Sequence, residues 1–206
     1  MKKLLFVLGV AAMLALVGAP AQALTVPFTS DHCTGSCGTP PYGDVTLTQV
    51  GSDVTFLVRL FDGSGFVRTG AGDGMNFKFN GVGVSLGDID TSGSSIPLSA
   101  AEANPQGSFC GDGGGCYNFG VFFTDQQNGG GSAIANDIVF TVEAATIAEL
   151  MQPNNRNQIF VADILSGQTG RTGLVDVSPV PVPEPVTTFL LLGLGVVGLV
   201  GLKKTF

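Results

Sequence analysis

The sequence contains no tryptophan, only two tyrosines and a single histidine, His32. Each scarcity narrows the chemistry. Without Trp, the stacking platform for a sugar would have to come from Phe. With one His, a His-based catalytic dyad or a multi-histidine metal centre has little to draw on. Basic side chains are scarce too. From Leu24 to Val182 there are 15 acidic residues against five basic ones (Arg59, Arg68, Lys78, Arg156, Arg171), a formal charge of −10. Nucleic acid and anionic lipid headgroups are poor partners for such a surface. What is plentiful is glycine, 25 of those 159 residues, and phenylalanine, 12 of the chain's 15. That Phe content, with many Val, Ile and Leu, supplies one domain's core and excludes disorder throughout.

The two ends of the 206-residue chain are apolar. Met1-Lys2-Lys3 precedes an uncharged run, Leu4 to Gly18, and then Ala19-Pro20-Ala21-Gln22-Ala23. A basic start, an apolar stretch and small residues at Ala21 and Ala23 are the parts of a secretory signal peptide, with cleavage expected before Leu24. The remainder is then exported, into a compartment where disulfides persist.

At the other end, Val186 to Leu202 is 17 residues without a charge, followed by Lys203 and Lys204. As a helix it would reach about 26 Å, just short of a hydrocarbon core of about 30 Å, and it can span with its lysines snorkelling towards a cytoplasmic face. Gly193, Gly195, Gly198 and Gly201 are spaced two or three apart, so no GxxxG dimer motif is present. Before this helix stands Val182-Pro183-Glu184-Pro185, whose consecutive X-Pro units hold the backbone extended for recognition.

A Pro-Glu-Pro box, a short Gly-Leu-rich helix and a basic end, in that order, resemble the PEP-CTERM sorting signal of exosortase-processed surface proteins. The resemblance covers residues 182–206 and the signal peptide that such proteins require. The basic end, two lysines and then Thr205-Phe206, departs from the more usual arginine-rich ending. The resemblance implies a membrane-embedded exosortase as partner and processing at the box that removes the helix. Val182, Pro183, Glu184 and Pro185 are then recognised rather than catalytic. It further implies a Gram-negative envelope and a setting of exopolysaccharide or biofilm production.

Between the ends the apolar pattern has a period of two. Val54, Phe56, Val58 and Leu60 mark one face of a strand. Similar runs lie at Val45 to Val50, Met75 to Asn80, Val82 to Leu86, Tyr117 to Phe123, Ile138 to Val142, Ile159 to Leu165 and Gly173 to Val177. In Met75 to Asn80 the two Phe share one face, and Lys78 with two Asn takes the other, as in a half-buried strand. Only Ala144 to Met151 reads as helical, for about two turns. The expected fold is all-β: an antiparallel β-sandwich or jelly roll of seven to nine short strands with one short helix. The expected organisation is a signal peptide (1–23), the sandwich (24–177), a Pro-rich stalk (178–185) and a transmembrane sorting helix (186–206). Asp125 to Ala135, rich in glycine, is expected to be an exposed loop.

Four cysteines form two close pairs, Cys33/Cys37 and Cys110/Cys116. They allow three disulfide pairings. Local bridges would staple two Gly-rich loops, whereas crossed ones would tie the N-terminal segment to the middle of the sandwich. Structural disulfides, locally paired, are the preferred reading over a four-cysteine zinc site, whose usual spacing is CxxC. His32 beside Cys33 does not make a thiol catalyst, because neighbours on an extended chain face opposite ways; an exposed loop histidine is expected. Gly83-Val84-Ser85-Leu86-Gly87 matches a nucleophile elbow as a string, but no helix pattern or histidine follows it.

Asp88-x-Asp90-x-Ser92-Gly93 reproduces the first half of a calcium loop. The twelfth position is Ser99 instead of Glu, so the expected role is an Asx-type turn, with a weak calcium site closed by Glu102 or a loop aspartate as the alternative. The strings Gly70-Ala71-Gly72-Asp73-Gly74 and Gly111-Asp112-Gly113-Gly114-Gly115 open no helix and carry acidic residues, which disfavours phosphate binding. No spacing singles out a glycosidase carboxylate pair. The sequence therefore reads as an exported, non-catalytic surface or matrix protein with no cofactor. The alternative is a secreted polysaccharide-binding module, assisted by calcium.

Overall fold

A computed structural model describes residues 22–178. In chain order the strands are β1 (Gln22–Pro27), β2 (Ser30–Asp31), β3 (Gly43–Val50), β4 (Asp53–Leu60), β5 (Gly65–Arg68), β6 (Phe77–Phe79), β7 (Ile89–Asp90) and β8 (Leu98–Glu102). They continue with β9 (Phe109–Gly111), β10 (Gly115–Tyr117), β11 (Phe119–Phe123), β12 (Gly129–Ile134), β13 (Ile138–Val142), β14 (Phe160–Leu165) and β15 (Thr172–Val177). One helical turn, α1 (Ile147–Leu150), precedes β14. Among the described residues every strand pair is antiparallel, so the all-β expectation with one short helix describes residues 22–178.

One sheet runs β1-β3-β4-β13-β7. The larger sheet is built around β14. Its whole length pairs with β15 on one side, and the other side is shared: Phe160 to Ala162 pair with β6, and Ile164 and Leu165 pair with β5. β11 and β8 extend from β6, β12 from β5, and β2 from β15. The two sheets face each other through phenylalanine. Phe56 of β4 stacks on Phe140 of β13 at 4.5 Å and meets Phe79 and Phe160 of the larger sheet at 5.3 and 5.7 Å. All four rings are fully buried. Such pairs add roughly 0.5–1.5 kcal/mol each beyond the area they bury. On the outer face of the smaller sheet, threonines pair across strands, Thr25 with Thr46 and Thr55 with Thr141.

The alternating runs at β3, β4, β13, β14 and β15 fall where the sequence places them. Val82 to Leu86 does not form a strand. Gly83 adopts φ +73°, Val82 and Leu86 are 59% and 41% exposed, and Ser85 instead caps a short 3₁₀ turn at Leu86–Asp88. Its alternation of apolar residues meets no core. Asp125 to Ala135 is not simply a loop either, because β12 lies within it and pairs with β5 through an irregular register. The buried Gln126 side chain holds this segment, donating to the Phe66 and Ser132 carbonyls at 2.6 and 2.9 Å and accepting from Asn76 Nδ2 at 2.7 Å. The helix is one turn rather than two. Thr146 and Glu149 form its capping box, and Ala144 at φ +49° prevents an earlier start.

Strand β1 begins at Gln22, two residues before the expected cleavage point, and cleavage there would leave the four pairs from Leu24↔Leu47 to Pro27↔Asp44. The rest of the expected signal peptide, the Pro-Glu-Pro box at Val182 to Pro185 and the sorting helix lie outside the described residues. Among the described residues no helix is long and apolar enough to cross a membrane.

Candidate functional site

The four cysteines close two local bridges, Cys33–Cys37 and Cys110–Cys116, and no cysteine is free. The first staples a tight loop around Asp31. Its carboxylate accepts from the backbone N–H groups of Cys33 and Cys37 at 3.3 and 3.2 Å and from the Tyr42 hydroxyl at 2.6 Å. Burial would raise the Asp31 carboxyl, but these hydrogen bonds outweigh it and hold the group below its ordinary value. Burial and the bond to Asp31 together push the Tyr42 hydroxyl up to about 12. Asp31, Cys33 and Cys37 stand close enough to share a metal, but both sulfurs are spent in the bridge.

The second bridge staples the β9–β10 hairpin, which lies over the outward face of the larger sheet. This corrects the reading of Lys78 as a solvent-facing residue. Lys78 on β6, Asp163 on β14, Asp176 on β15 and Tyr117 on β10 are each 0–1% exposed. The hairpin's glycines permit the cover. A Cβ on Gly111 would lie 2.6 Å from Leu174 Cδ1 and 3.1 Å from Lys78 Nζ, and one on Gly113 would run into the His32 ring. The run Gly111 to Gly115 is therefore a lid over a second small core of Tyr117, Val161 and Leu174.

Beneath that lid the polar groups are only half satisfied. Asp163 Oδ2 accepts from Thr69 N and Thr69 Oγ1, both at 2.7 Å. Asp176 Oδ2 accepts from His32 Nε2 at 2.7 Å and from Gln158 Nε2 at 3.1 Å. The other oxygens of both aspartates, with Lys78 Nζ and the Tyr117 hydroxyl, have no hydrogen-bond partner among the described residues. Burial pulls the Lys78 ammonium down to about 8, with attraction by Asp73 and Asp163 opposing it. Burial likewise pushes Asp163 up to about 6 against the donors on its other oxygen. Burial, and then the charge of Asp176, raise the Tyr117 hydroxyl. A lysine and a carboxylate with pKa values drawn together resemble catalytic groups. Here both sit under the hairpin, away from solvent, where their charges bear on stability.

His32, in the loop after β2, is only half-exposed, with 26% of its side chain accessible. Its ring reaches the buried Asp176, and because a carboxylate only accepts, Nε2 carries the donated proton. Cys33 is in its bridge, so the two neighbours serve separate structural roles. Ser85 donates from Oγ to Asp88 at 2.8 Å, within the 3₁₀ cap. Asp88 Oδ2 also accepts from Ser85 N at 2.8 Å, and Asp90 accepts from Ser92 N and Ser92 Oγ at 2.9 and 3.1 Å. The two carboxylates of the calcium-like string thus each satisfy their own turn. These bonds hold both groups below their ordinary values. Sequence reasoning did not find the Lys78 cluster. The signal available was one lysine between two core phenylalanines, and it carried no indication of a lid.

Comparison with known proteins bears on the C-terminal segment. The family model described as the PEP-CTERM protein-sorting motif matches residues 181–204. The chain carries that sorting motif at its C-terminus, which marks it as an exported protein handled by an exosortase-type enzyme. No curated protein and no solved structure matches the chain.

Proposed function

We propose that this chain is a non-catalytic component of the cell surface or extracellular matrix, delivered by exosortase-type sorting, with a structural or adhesive role in an exopolysaccharide or biofilm setting. The sorting motif at residues 181–204 carries the reading, because it follows closely on the last strand, which ends at Val177. Three further observations support it. Both cysteine pairs are bridged, as suits an oxidising compartment. The formal charge of −10 from Leu24 to Val182 favours solvent over an anionic membrane surface once the anchor is removed. Ser85, the serine of the nucleophile-elbow string, donates its hydroxyl to Asp88 in a 3₁₀ cap, while His32 is bonded to Asp176.

Replacing Pro183, Glu184 and Pro185 together by alanine tests the reading in a producing cell that contains the sorting enzyme. The altered chain should accumulate in the inner membrane with its tail, while the unaltered chain reaches the surface or the medium. Equal surface delivery of both would overturn the proposal.

A further inference from the structure

We infer that the cleft at the end of the larger sheet, where β6 stops and β11 and β14 begin, binds a neutral glycan chain through convergent carboxamides. The cleft is open to solvent and has a volume of about 410 Å³, within the roughly 300–1,000 Å³ of small-ligand sites. Five of its side chains are amides from three segments: Asn80 after β6, Asn118 between β10 and β11, and Gln152, Asn154 and Asn155 from the segment after α1. Asn154 is bonded through both of its amide atoms, whereas Asn80, Asn155 and Gln152 are each held by one atom and keep the other unbonded. Asn80 Oδ1 accepts from Asn118 N at 2.9 Å, Asn155 Oδ1 accepts from Cys116 N at 3.1 Å, and Gln152 Nε2 donates to the Ala148 carbonyl at 2.8 Å. Asn80 Nδ2, Asn155 Nδ2, Gln152 Oε1 and both amide atoms of Asn118 make no hydrogen bond among the described residues.

Unspent donors and acceptors therefore line one cleft, and those of Asn80, Asn155 and Gln152 are oriented before any ligand arrives. That arrangement lowers the ordering cost of binding. Bonds of Asn154 to Gly114, Arg156 and Gln158 fix the loop that carries Asn155.

The lining also says what the ligand is not. Among the described residues no Asp, Glu, Lys or Arg lines the cleft, so these offer neither a cation for an anionic sugar or phosphate nor a carboxylate for a metal. An extended peptide would need a row of strand-edge backbone groups, and these amides come from separate segments. Vicinal hydroxyls, each both donor and acceptor, match paired amide donors and acceptors. Val82, 59% exposed, and the exposed Pro153 give the apolar surface on which the C–H face of a sugar ring can rest.

The inference deepens the matrix reading and takes its biological setting from it, but its test reads the cleft alone. Purified full-length chain in detergent micelles would be run through native gels cast with dextran, laminarin or xylan, with alginate as the anionic control. Retardation is expected by at least one neutral polysaccharide and not by alginate. Asn118→Ala should weaken that retardation at least tenfold without moving the melting temperature, because the Asn118 side chain supports no other residue. No retardation by any of the three, preferential retardation by alginate, or an unchanged Asn118→Ala would each overturn the inference. Failure here with normal surface delivery removes the glycan site only, whereas missorting with intact retardation removes only the sorting account.

Discussion

Replacing Lys78 with methionine keeps the length of the side chain and removes its charge from beneath the β9–β10 lid. The folded protein holds this ammonium at about 8 instead of 10.5. That gap corresponds to about 3 kcal/mol of instability at pH 7. Between those two values the unfolded chain keeps the proton and the folded chain has lost it, so stability rises with pH across the window. Asp163 behaves in the opposite sense. Its folded value is raised to about 6 from 3.8, so its contribution is greatest below the unfolded value and is lost as pH climbs through about 6. The two groups together give a trough of stability between about pH 6 and pH 8.

In Lys78→Met the lysine's cost disappears, but Asp163 loses an attracting charge. The net gain expected at pH 7 is therefore about 1–2 kcal/mol, in line with apolar replacement of other buried charges. For a domain of this size it should raise the melting temperature by roughly 2–8 °C. Urea unfolding of the disulfide-intact protein between pH 7 and pH 9.5, below the range where tyrosines ionise, reads both the gain and its slope. The variant should lose the alkaline rise seen in the parent. A variant less stable at pH 7 by more than about 1 kcal/mol, or one with the parent's alkaline rise, would refute the reasoning.

Other consequences follow from the same geometry. Cys110→Ser with Cys116→Ser opens a bridge between residues six apart in sequence, at a cost of about 2 kcal/mol by loop entropy; it should also expose Lys78 to an amine-acylating reagent, seen by peptide mass spectrometry, and continued protection would show that the disulfide does not hold the lid. Phe56→Ala removes the ring that touches both sheets and should destabilise by about 3–5 kcal/mol in denaturant unfolding, whereas a loss under about 1 kcal/mol would mean that the sheets are held elsewhere. Millimolar calcium should leave the melting temperature unchanged, because Asp88 and Asp90 are engaged in their own turns; a rise abolished by Asp90→Asn would show that the loop opens to take the ion.

How far the fold could be read in advance depended on whether a strand has one covered face or two. In β4 and β13, Val54, Phe56, Val58, Ile138, Phe140 and Val142 alternate with half-exposed or exposed residues, and the period-two pattern is visible directly. β6 carries the same pattern, but its polar residue is buried by a hairpin more than 30 positions away, and nothing local to Lys78 signals that cover. His32 is the same case, drawn inward by Asp176 across 144 residues. β12 was hidden for a different reason. Gly129-Gly130-Gly131-Ser132-Ala133-Ile134 has almost no side chains to alternate, and the segment is held by Gln126 from outside the strand.

Val82 to Leu86 shows the opposite error, since alternation without a partner strand leaves apolar residues in water. The local disulfides were legible because each pair is only a few residues apart. The carboxamide cleft was not, because it is assembled by loops that meet only once the sheet has formed.

The central claim is that the chain is exported and then processed at its sorting motif. Intact-mass and terminal-peptide mass spectrometry of the protein recovered from the cell surface and medium test it directly. The account predicts a chain that starts at Leu24, carries two disulfides and ends at or near the Val182-Pro183-Glu184-Pro185 box. A chain recovered only from the inner membrane and still carrying Lys203, Lys204, Thr205 and Phe206 would contradict it.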